Sequence, residues 1–265
     1  MRIGVFDSGL GGLSVLQEIQ QRMPAASLAY VADSAWVPYG PRSQDVIRKR
    51  ARALSRFLLD HGADIIVVAC NTATAAAVPL LRETMKVPIV GMEPAVKPAT
   101  AATRNGVVGV LATAGTLAST RFAALLDQFG ADIQVLTRAC PGLVERVEAG
   151  DLDSPRTHLL VRQYVQPLVE GGADTLVLGC THFAFLRPVI EATAGPGVTM
   201  IDTGEAVARR VEQVAASLKI GIPRRGGAAF WTSGEAATIS APLRKLWGAP
   251  VILADLPGEY AGGSD

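Results

Sequence analysis

Cysteine, histidine and aromatic residues are scarce in this chain of 265 residues, which has three cysteines, three histidines and 5% aromatic side chains. Three cysteines, at positions 70, 140 and 180, are too few for the dense disulfide framework of small secreted domains. They show no C-x-x-C spacing, and Cys180 with His182 is the one close Cys/His pair, so we expect no metal site. The scarcity of cysteine favours a reducing compartment, and we expect the protein in the cytoplasm.

An excess of charge of one sign and long apolar runs are also lacking. The 25 basic and 24 acidic residues give a net charge of +1, which disfavours a general nucleic-acid binder. The longest apolar runs, such as Ile65–Cys70, fall well short of the ~20 residues of a membrane helix. The first one, Ile3–Phe6, is too short for a signal-peptide core. We therefore expect neither a membrane nor a nucleic-acid partner.

What the chain does contain is an alternation of short apolar runs with longer amphipathic stretches. Such alternation is typical of doubly wound parallel sheets, so the predicted fold class is α/β. One stretch predicts a helix from Ser43 to Asp60, capped by Ser43 and ended by Gly62. Its basic residues at 48–50, 52 and 56 are expected on a solvated face. The predicted strands are 2–6, 28–32, 64–69, 88–91, 106–111, 133–137, 174–179, 198–201 and 250–254.

An internal similarity relates two segments that lie 110 residues apart. The sequence GADIIVVACNT at 62–72 aligns with GADTLVLGCTH at 172–182, and each places a cysteine after an apolar run. A weaker similarity joins IGVFDS at 3–8 to VGVLAT at 108–113. Two related α/β halves explain both, although buried strands that end in small polar residues can look alike by chance. Because ligands bind at the carboxyl ends of parallel strands, two facing halves would each bring one cysteine to a shared cleft.

Cys70 and Cys180 are both followed by hydrogen-bonding residues at predicted strand-to-helix turns, where backbone N–H groups favour a thiolate. Two thiols on opposite walls suit stereoinversion, in which one removes a proton from a carbon and the other delivers a proton to the opposite face. We expect Asp7 to assist Cys70 and His182 to assist Cys180. A lone strand-end cysteine is more often packing, and Cys140 is assigned to packing.

The glycine-rich stretch Gly9–Gly12 admits two interpretations. It is similar to a dinucleotide-binding turn, with Asp33 where a ribose-binding acid is expected. However, Ser14 replaces the third glycine, and Asp7 would place negative charge beside a pyrophosphate. We favour a tight turn whose backbone amides bind a smaller anion.

Four motifs stand in a specific order along the chain: DSGLGGLSV at 7–15, VPYG at 37–40, CNTAT at 70–74 and GCTHF at 179–183. Together they resemble the glutamate racemases of the aspartate/glutamate racemase family, from Arg2 to about Val211. The resemblance implies a cofactor-independent enzyme that interconverts L- and D-glutamate and supplies D-glutamate for bacterial peptidoglycan. It also implies a homodimer of chains with two pseudo-symmetric α/β domains, 1–94 with 208–265 and 95–207, and an active site in the cleft between them.

The resemblance further implies roles for individual residues. Cys70 and Cys180 match the two acid/base cysteines, which act on the D- and the L-enantiomer respectively. Asp7 and His182 match auxiliary acids, and Glu148 falls where a further functional carboxylate is expected, although residues 140–146 depart from the family's more apolar version. The implied substrate contacts are Asp7, Ser8, Tyr39, Gly40, Asn71, Thr72, Thr113, Thr116, Thr181 and His182, with Asp33 as a possible auxiliary residue.

Two alternatives stay open at this point. A related two-cysteine racemase could act on aspartate or on a hydantoin-type substrate, whereas the VPYG motif favours glutamate. A catalytically silent protein could bind an amino acid or a nucleotide in the same cleft. The presence of both cysteines with Asp7 and His182 argues against that second alternative.

Overall fold

The strands of the protein form two parallel sheets in the computed structural model, which describes residues 1–130, 132–218 and 226–262. The strands are β1 (Arg2–Asp7), β2 (Ser27–Ala32), β3 (Ile65–Val68), β4 (Ile89–Gly91), β5 (Val107–Ala112), β6 (Gln134–Ala139), β7 (Thr175–Gly179), β8 (Thr199–Ile201), β9 (Gly227–Thr232) and β10 (Leu253–Asp255). Within the described residues, one sheet has the order β10-β9-β2-β1-β3-β4 and the other the order β6-β5-β7-β8.

Helices connect successive strands and cover the sheets. They are α1 (Leu13–Arg22), α2 (Gln44–Asp60), α3 (Asn71–Thr84), α4 (Val96–Ala102), α5 (Ala114–Leu117), α6 (Thr120–Phe129), α7 (Leu143–Glu148), α8 (Pro155–Glu170), α9 (Arg187–Ala194), α10 (Gly204–Ser217), α11 (Ala236–Trp247) and α12 (Gly258–Ala261). A 3₁₀ helix, Thr181–Leu186, follows β7. No helix among these residues is both long enough and apolar enough to cross a membrane.

The two sheets share one topology. The order β2-β1-β3-β4 in the first sheet is repeated as β6-β5-β7-β8 in the second, and these pairings are parallel in both. Cys70 follows β3 with φ −143° and ψ 122°, and Cys180 follows β7 with φ −144° and ψ 135°. The predicted α/β class is confirmed, and the internal similarity in sequence coincides with a repeated unit of structure.

Local sequence explains the framework around each half. All four residues of β3 and all five of β7 are buried, as expected for central strands covered on both faces. Helix α2 begins where predicted, because the Ser43 hydroxyl accepts a hydrogen bond from the amide of Val46. The chain leaves that helix through Gly62, whose φ of +76° suits a glycine.

The predictions miss one strand of this framework and are wrong on two further points. Strand β9 was not predicted, because Gly226, Gly227 and two alanines precede its aromatic residues and have little intrinsic strand propensity. Strand β10 begins only at Leu253, after the exposed Ile252, rather than at 250. Arg50 does not lie on a solvated face: its side chain is 1% exposed and contacts Asp33.

The C-terminal part of the chain returns to the first sheet. Strand β9 pairs with β2, and β10 pairs with β9. Helix α10 packs on α1, ahead of that return. The exact domain bounds, 1–94 with 208–265 and 95–207, stay a prediction.

Candidate active site

A cavity lies where the carboxyl ends of the two sheets face each other, and both Cys70 and Cys180 line it. The first half contributes Ser8, Tyr39, Gly40, Asn71 and Thr72. The second half contributes Thr113, Thr116, Thr181 and His182. The space open to the centre of a water molecule is about 10 Å³, enough for about one water. The predicted residues are therefore brought together around a nearly closed site.

Cys70 occupies the N-cap position of α3 and is only 6% exposed to solvent. Its sulfur accepts a hydrogen bond from the amide of Ala73 at 3.4 Å and donates to the Ser8 hydroxyl at 3.8 Å. Burial, and after it the negative charge of Asp7, raises the pKa of Cys70 well above its usual value. The Cys70 sulfur is therefore held as a neutral thiol in this arrangement.

Cys180 has a different partner, although its backbone conformation matches that of Cys70. Its sulfur lies 3.7 Å from Nδ1 of His182, and Nε2 of that ring lies 2.6 Å from Oε1 of Glu148. Burial alone lowers the pKa of His182, but the hydrogen bonds to Cys180 and Glu148 outweigh it and raise that pKa well above the usual value. A protonated imidazole beside a sulfur stabilises the thiolate.

The amide of Gly11 also points at Nε2 of His182, at 3.2 Å. That nitrogen can accept a hydrogen bond only when it carries no proton. The contact with Glu148 is much shorter, and the amide of Leu10 donates to the same carboxylate oxygen at 2.6 Å. Because the carboxylate oxygen of Glu148 is an acceptor, Nε2 of His182 is the donor in this contact.

The glycine-rich turn between β1 and α1 uses its amides on the protein's own carboxylates. Leu10 donates to Glu148, and Gly12 donates to Oδ2 of Asp7 at 2.8 Å. A Cβ at Gly9 would overlap the Glu148 carboxylate, and one at Gly11 would overlap the His182 ring. The absence of side chains thus lets residues of the second half approach this turn.

Asp7, Asp33 and Glu148 stand behind the cavity wall rather than on it. The Ser8 hydroxyl donates to Asp7 at 3.5 Å, and the Tyr39 hydroxyl donates to Asp33 at 2.5 Å. Burial raises the pKa of Asp7, with His182 and the Gly12 amide acting in the opposite direction. Each carboxylate therefore contacts, from behind, a residue that lines the cavity. Asp7 contacts Ser8, Asp33 contacts Tyr39, and Glu148 contacts His182.

Hydroxyl groups close the seam between the halves. Thr72 Oγ1 lies 2.9 Å from Thr113 Oγ1 and 3.1 Å from Thr116 Oγ1, and the latter two are 3.0 Å apart. Next to them, the side-chain amide of Asn71 is buried and finds no hydrogen-bond partner within the described part of the chain. A buried amide without partners is costly unless a ligand supplies them.

Some contributors to the site were not predicted. Pro38, Val144 and Gly179 also line the cavity. Pro38 and Gly179 belong to the recognised motifs, whereas Val144 has no local signal. Tyr30 donates its hydroxyl to the carbonyl of Gly9 at 2.7 Å and supports the glycine-rich turn from below.

Cys140 is buried in the core that packs behind Cys180, and its thiol donates to the carbonyl of Arg138 at 3.3 Å. Burial, and after it the charge of Cys180, raises the pKa of Cys140. Its assignment to packing agrees with this position. Among the described residues, no group of three or more His, Cys, Asp or Glu side chains stands where it could hold a metal ion.

Comparison with known proteins gives consistent matches over nearly the whole chain. The family described as Asp/Glu/Hydantoin racemase matches residues 3–211. A curated glutamate racemase from Pseudomonas aeruginosa is 54% identical over 255 residues, which cover 94% of each chain. One from Stutzerimonas stutzeri is 51% identical over 256 residues, covering 96% of this chain and 97% of the other.

Solved structures match the fold as well. A glutamate racemase isoform from Bacillus anthracis superposes with a TM-score of 0.88 at 31% identity, covering 97% of both chains. A glutamate racemase from Escherichia coli, in complex with L-glutamate and the activator UDP-MurNAc-Ala, superposes with a TM-score of 0.86 at 31% identity, covering 96% of this chain and 97% of the other.

Proposed function

The chain belongs to the Asp/Glu/hydantoin racemase family and is an amino-acid racemase, and we propose that it interconverts L- and D-glutamate with Cys70 and Cys180 as the two acid/base groups. One observation carries the mechanism: equivalent positions of the two repeated halves supply one buried thiol each to a single cavity. A carbon held between two such sulfurs can lose a proton to one and gain a proton from the other, which inverts its configuration.

The unequal surroundings of the two thiols support a direction for each. His182, hydrogen-bonded to Glu148, is placed to donate to a thiolate at Cys180, whereas burial and Asp7 favour the thiol at Cys70. In this protonation state Cys180 removes the α-proton of L-glutamate and Cys70 protonates the opposite face. Cys180 ends that turnover as the thiol and Cys70 as the thiolate, and this pair then carries D-glutamate back to L-glutamate.

Polar groups around the cavity would hold the zwitterionic substrate. The hydroxyls of Ser8, Thr72 and Thr181 and the unpartnered amide of Asn71 are suited to its carboxylates. Ser8 lies in front of the buried Asp7, whose negative charge would attract the α-ammonium, and that ammonium would in turn lower the pKa of both Asp7 and Cys70. Hydrogen bonds to the α-carboxylate stabilise the carbanion-like transition state, because negative charge moves onto that group.

Three further proposals follow from family membership. The product D-glutamate would enter bacterial peptidoglycan, the protein would work in the cytoplasm, and it would assemble as a homodimer. Sedimentation of the purified protein tests the last of these directly, and a monomer at enzyme-assay concentrations would contradict it.

Incorporation of solvent deuterium tests substrate and mechanism together. Wild-type protein in D₂O should convert L-glutamate into D-glutamate that carries deuterium at the α-carbon from the first turnover, because the incoming proton comes from the second thiol. Cys70→Ala and Cys180→Ala should each lower racemisation by about 10³-fold or more in both directions. Any residual exchange without inversion should be confined to L-glutamate in Cys70→Ala and to D-glutamate in Cys180→Ala.

Cys140→Ala is the matched control and should keep near wild-type turnover, because Cys140 lies in the core behind the site. Aspartate in the same assay distinguishes the related racemases by substrate. Near-normal turnover of glutamate by either active-site variant would sink the two-thiol mechanism, and turnover of aspartate alone would overturn the substrate assignment.

A further inference from the structure

A buried ion pair lies directly behind the Tyr39 side of the cavity. Arg50 on α2 is 1% exposed and Asp33 after β2 is fully buried. Nε of Arg50 donates to Oδ2 of Asp33 at 2.9 Å, and Nη2 donates to Oδ1 at 2.7 Å. This two-point geometry fixes the orientation of the carboxylate, which a single-point charge would leave free to rotate.

The orientation of Asp33 determines where Tyr39 is held. The Tyr39 hydroxyl donates to Oδ2 of Asp33, the same oxygen that accepts from Nε of Arg50. Burial, and after it the charge of Asp33, raises the pKa of Tyr39 well above its usual value, so the hydroxyl keeps its proton. Tyr39 and its neighbour Gly40 line the cavity, and Gly40 lies so close to the opposite half that a Cβ on it would stand 3.3 Å from the Cβ of Thr113.

The guanidinium group itself is held by further contacts. Its Nη1 donates to the carbonyl of Gly262 at 3.1 Å, and its carbon lies 5.2 Å from the centre of the Trp36 ring. The Trp36 indole in turn donates to the carbonyl of Ala261 at 3.4 Å. The C-terminal segment therefore fixes the side of Arg50 that faces away from Asp33.

We propose that Arg50 is a positioning residue for substrate binding: through the Asp33 carboxylate it fixes Tyr39, and with it the Pro38–Gly40 wall of the cavity. Within the described part of the chain, Arg50 contacts Asp33, the Gly262 carbonyl and the Trp36 ring, and of these Asp33 leads to Tyr39 on the cavity wall. The inference rests on the proposed glutamate racemase activity for its kinetic readout, although the contacts that carry it are independent of the substrate.

Kinetics of three variants test the proposal. Arg50→Lys keeps the charge but cannot make the two-point contact, and Tyr39→Phe removes only the hydroxyl that reaches Asp33. Each should raise the KM for glutamate about tenfold in both directions, with kcat within about threefold of wild type, because the cavity wall that binds substrate loses a charge-assisted hydrogen bond that holds it in place. Arg52→Met, two residues further along the exposed side of α2, is the matched control and should leave KM and kcat unchanged.

The double variant Arg50→Lys/Tyr39→Phe separates positioning from general stabilisation. If Arg50 acts through Tyr39, the double variant should have the KM of the more affected single variant, because both changes break one chain of contacts. A merely structural role would reduce the folded fraction and therefore lower kcat at unchanged KM. Multiplying effects on KM, or unchanged KM in both single variants, would overturn the proposal.

A neutral pair, Asp33→Asn with Arg50→Gln, keeps the test decisive if Arg50→Lys does not fold, since it leaves no unpaired buried charge. It should show the same rise in KM. Hydrogen exchange gives a readout without substrate: the amides of Val37, Tyr39 and Gly40 should exchange about tenfold faster in the variants than in wild type, while those of α3 stay unchanged.

The two readouts separate this proposal from the proposed function. If wild-type protein does not racemise glutamate, the activity assignment fails and exchange at residues 37–40 alone decides the role of Arg50. Unchanged exchange in that segment would then overturn it.

Discussion

His182 has one ring nitrogen 3.7 Å from the Cys180 sulfur and the other 2.6 Å from Glu148, whereas the Cys70 sulfur faces a hydroxyl and a buried carboxylate. Two cysteines with matched backbone conformations therefore differ in their chemistry through the residues that other segments bring to them. In the proposed reaction this difference starts the enzyme with one thiolate and one thiol, the combination that an inverting proton transfer requires.

The contact between His182 and Glu148 predicts a titration shift. Glu148→Gln removes the negative charge beside Nε2, so the pKa of His182 should fall toward its ordinary value of about 6.5. With three histidines in the chain, NMR of the ring protons can follow each titration separately. Glu145→Gln, an exposed change on the same helix, is the control and should leave the His182 titration in place.

The same shift has a consequence for stability. Because the folded-state pKa of His182 lies above the unfolded value, protonation of His182 favours folding. The contribution is fully present below about pH 6.5 and is lost as the pH rises through the folded-state pKa. A His182 titration that does not move in Glu148→Gln would contradict the contribution of Glu148 to the raised pKa.

Among the connecting segments, the turn between β1 and α1 contacts the second half directly. It belongs to the first half, yet its Leu10 amide holds Glu148 of the second half, and its glycines leave room for the Glu148 and His182 side chains. The glycines at 9 and 11 are therefore required by approach from a distant segment, and the preferences of the turn itself do not explain them.

Gly9→Ala tests this role of the turn. The new methyl group would overlap the Glu148 carboxylate, so the contact with Leu10 and His182 should be displaced and kcat should fall about 10- to 100-fold. Gly197→Ala is the control, because a Cβ there meets no atom within 4 Å. Gly9→Ala with wild-type kcat and an unshifted His182 titration would show that the turn does not position Glu148.

At the scale of helices and strands, local sequence patterns predict some elements and miss others. The amphipathic stripe and the cap at Ser43 predicted α2 correctly because both signals lie within the element. Strand β9 has no comparable signal, since its glycines and alanines become a strand only by pairing with β2. The positive charge of Arg50 predicts a solvated face, although its place on the helix falls among the buried residues of α2. Its buried partner, Asp33, comes from the end of β2, and no pattern within α2 indicates it.

At the scale of the whole molecule, the two halves are nearly closed over the site. The cavity has room for about one water, so we expect the halves to separate at the seam of Thr72, Thr113 and Thr116 when an amino acid enters. The Leu10 amide of the first half holds Glu148 of the second half in this closed arrangement, so we expect the surroundings of Cys180 to be coupled to closure.

This coupling predicts hydrogen-exchange protection in both halves. Addition of glutamate at its racemic equilibrium should slow exchange in segments 37–40 and 70–74 of the first half and in 113–117 and 180–183 of the second. Mass spectrometry of peptides from quenched samples measures this, with α8, remote from the seam, as an internal control. Protection confined to one half would contradict closure around the substrate.

The sequence by itself determined the α/β class, the repeated unit, and the two cysteines with most of the polar residues around them. It could do so because parallel strands end at one edge, so residues just after each apolar run are delivered to a common site whatever the details of packing. The tertiary structure decided which groups stand behind that site: Glu148 with His182, and Arg50 with Asp33 and Tyr39. Those partners are 34 residues apart in the first case and 17 and 6 residues apart in the second, and no local periodicity joins them. Buried charges find partners through the packing of whole elements, and that packing gives the Cys70 and Cys180 sulfurs different neighbours at two positions that the sequence makes look alike.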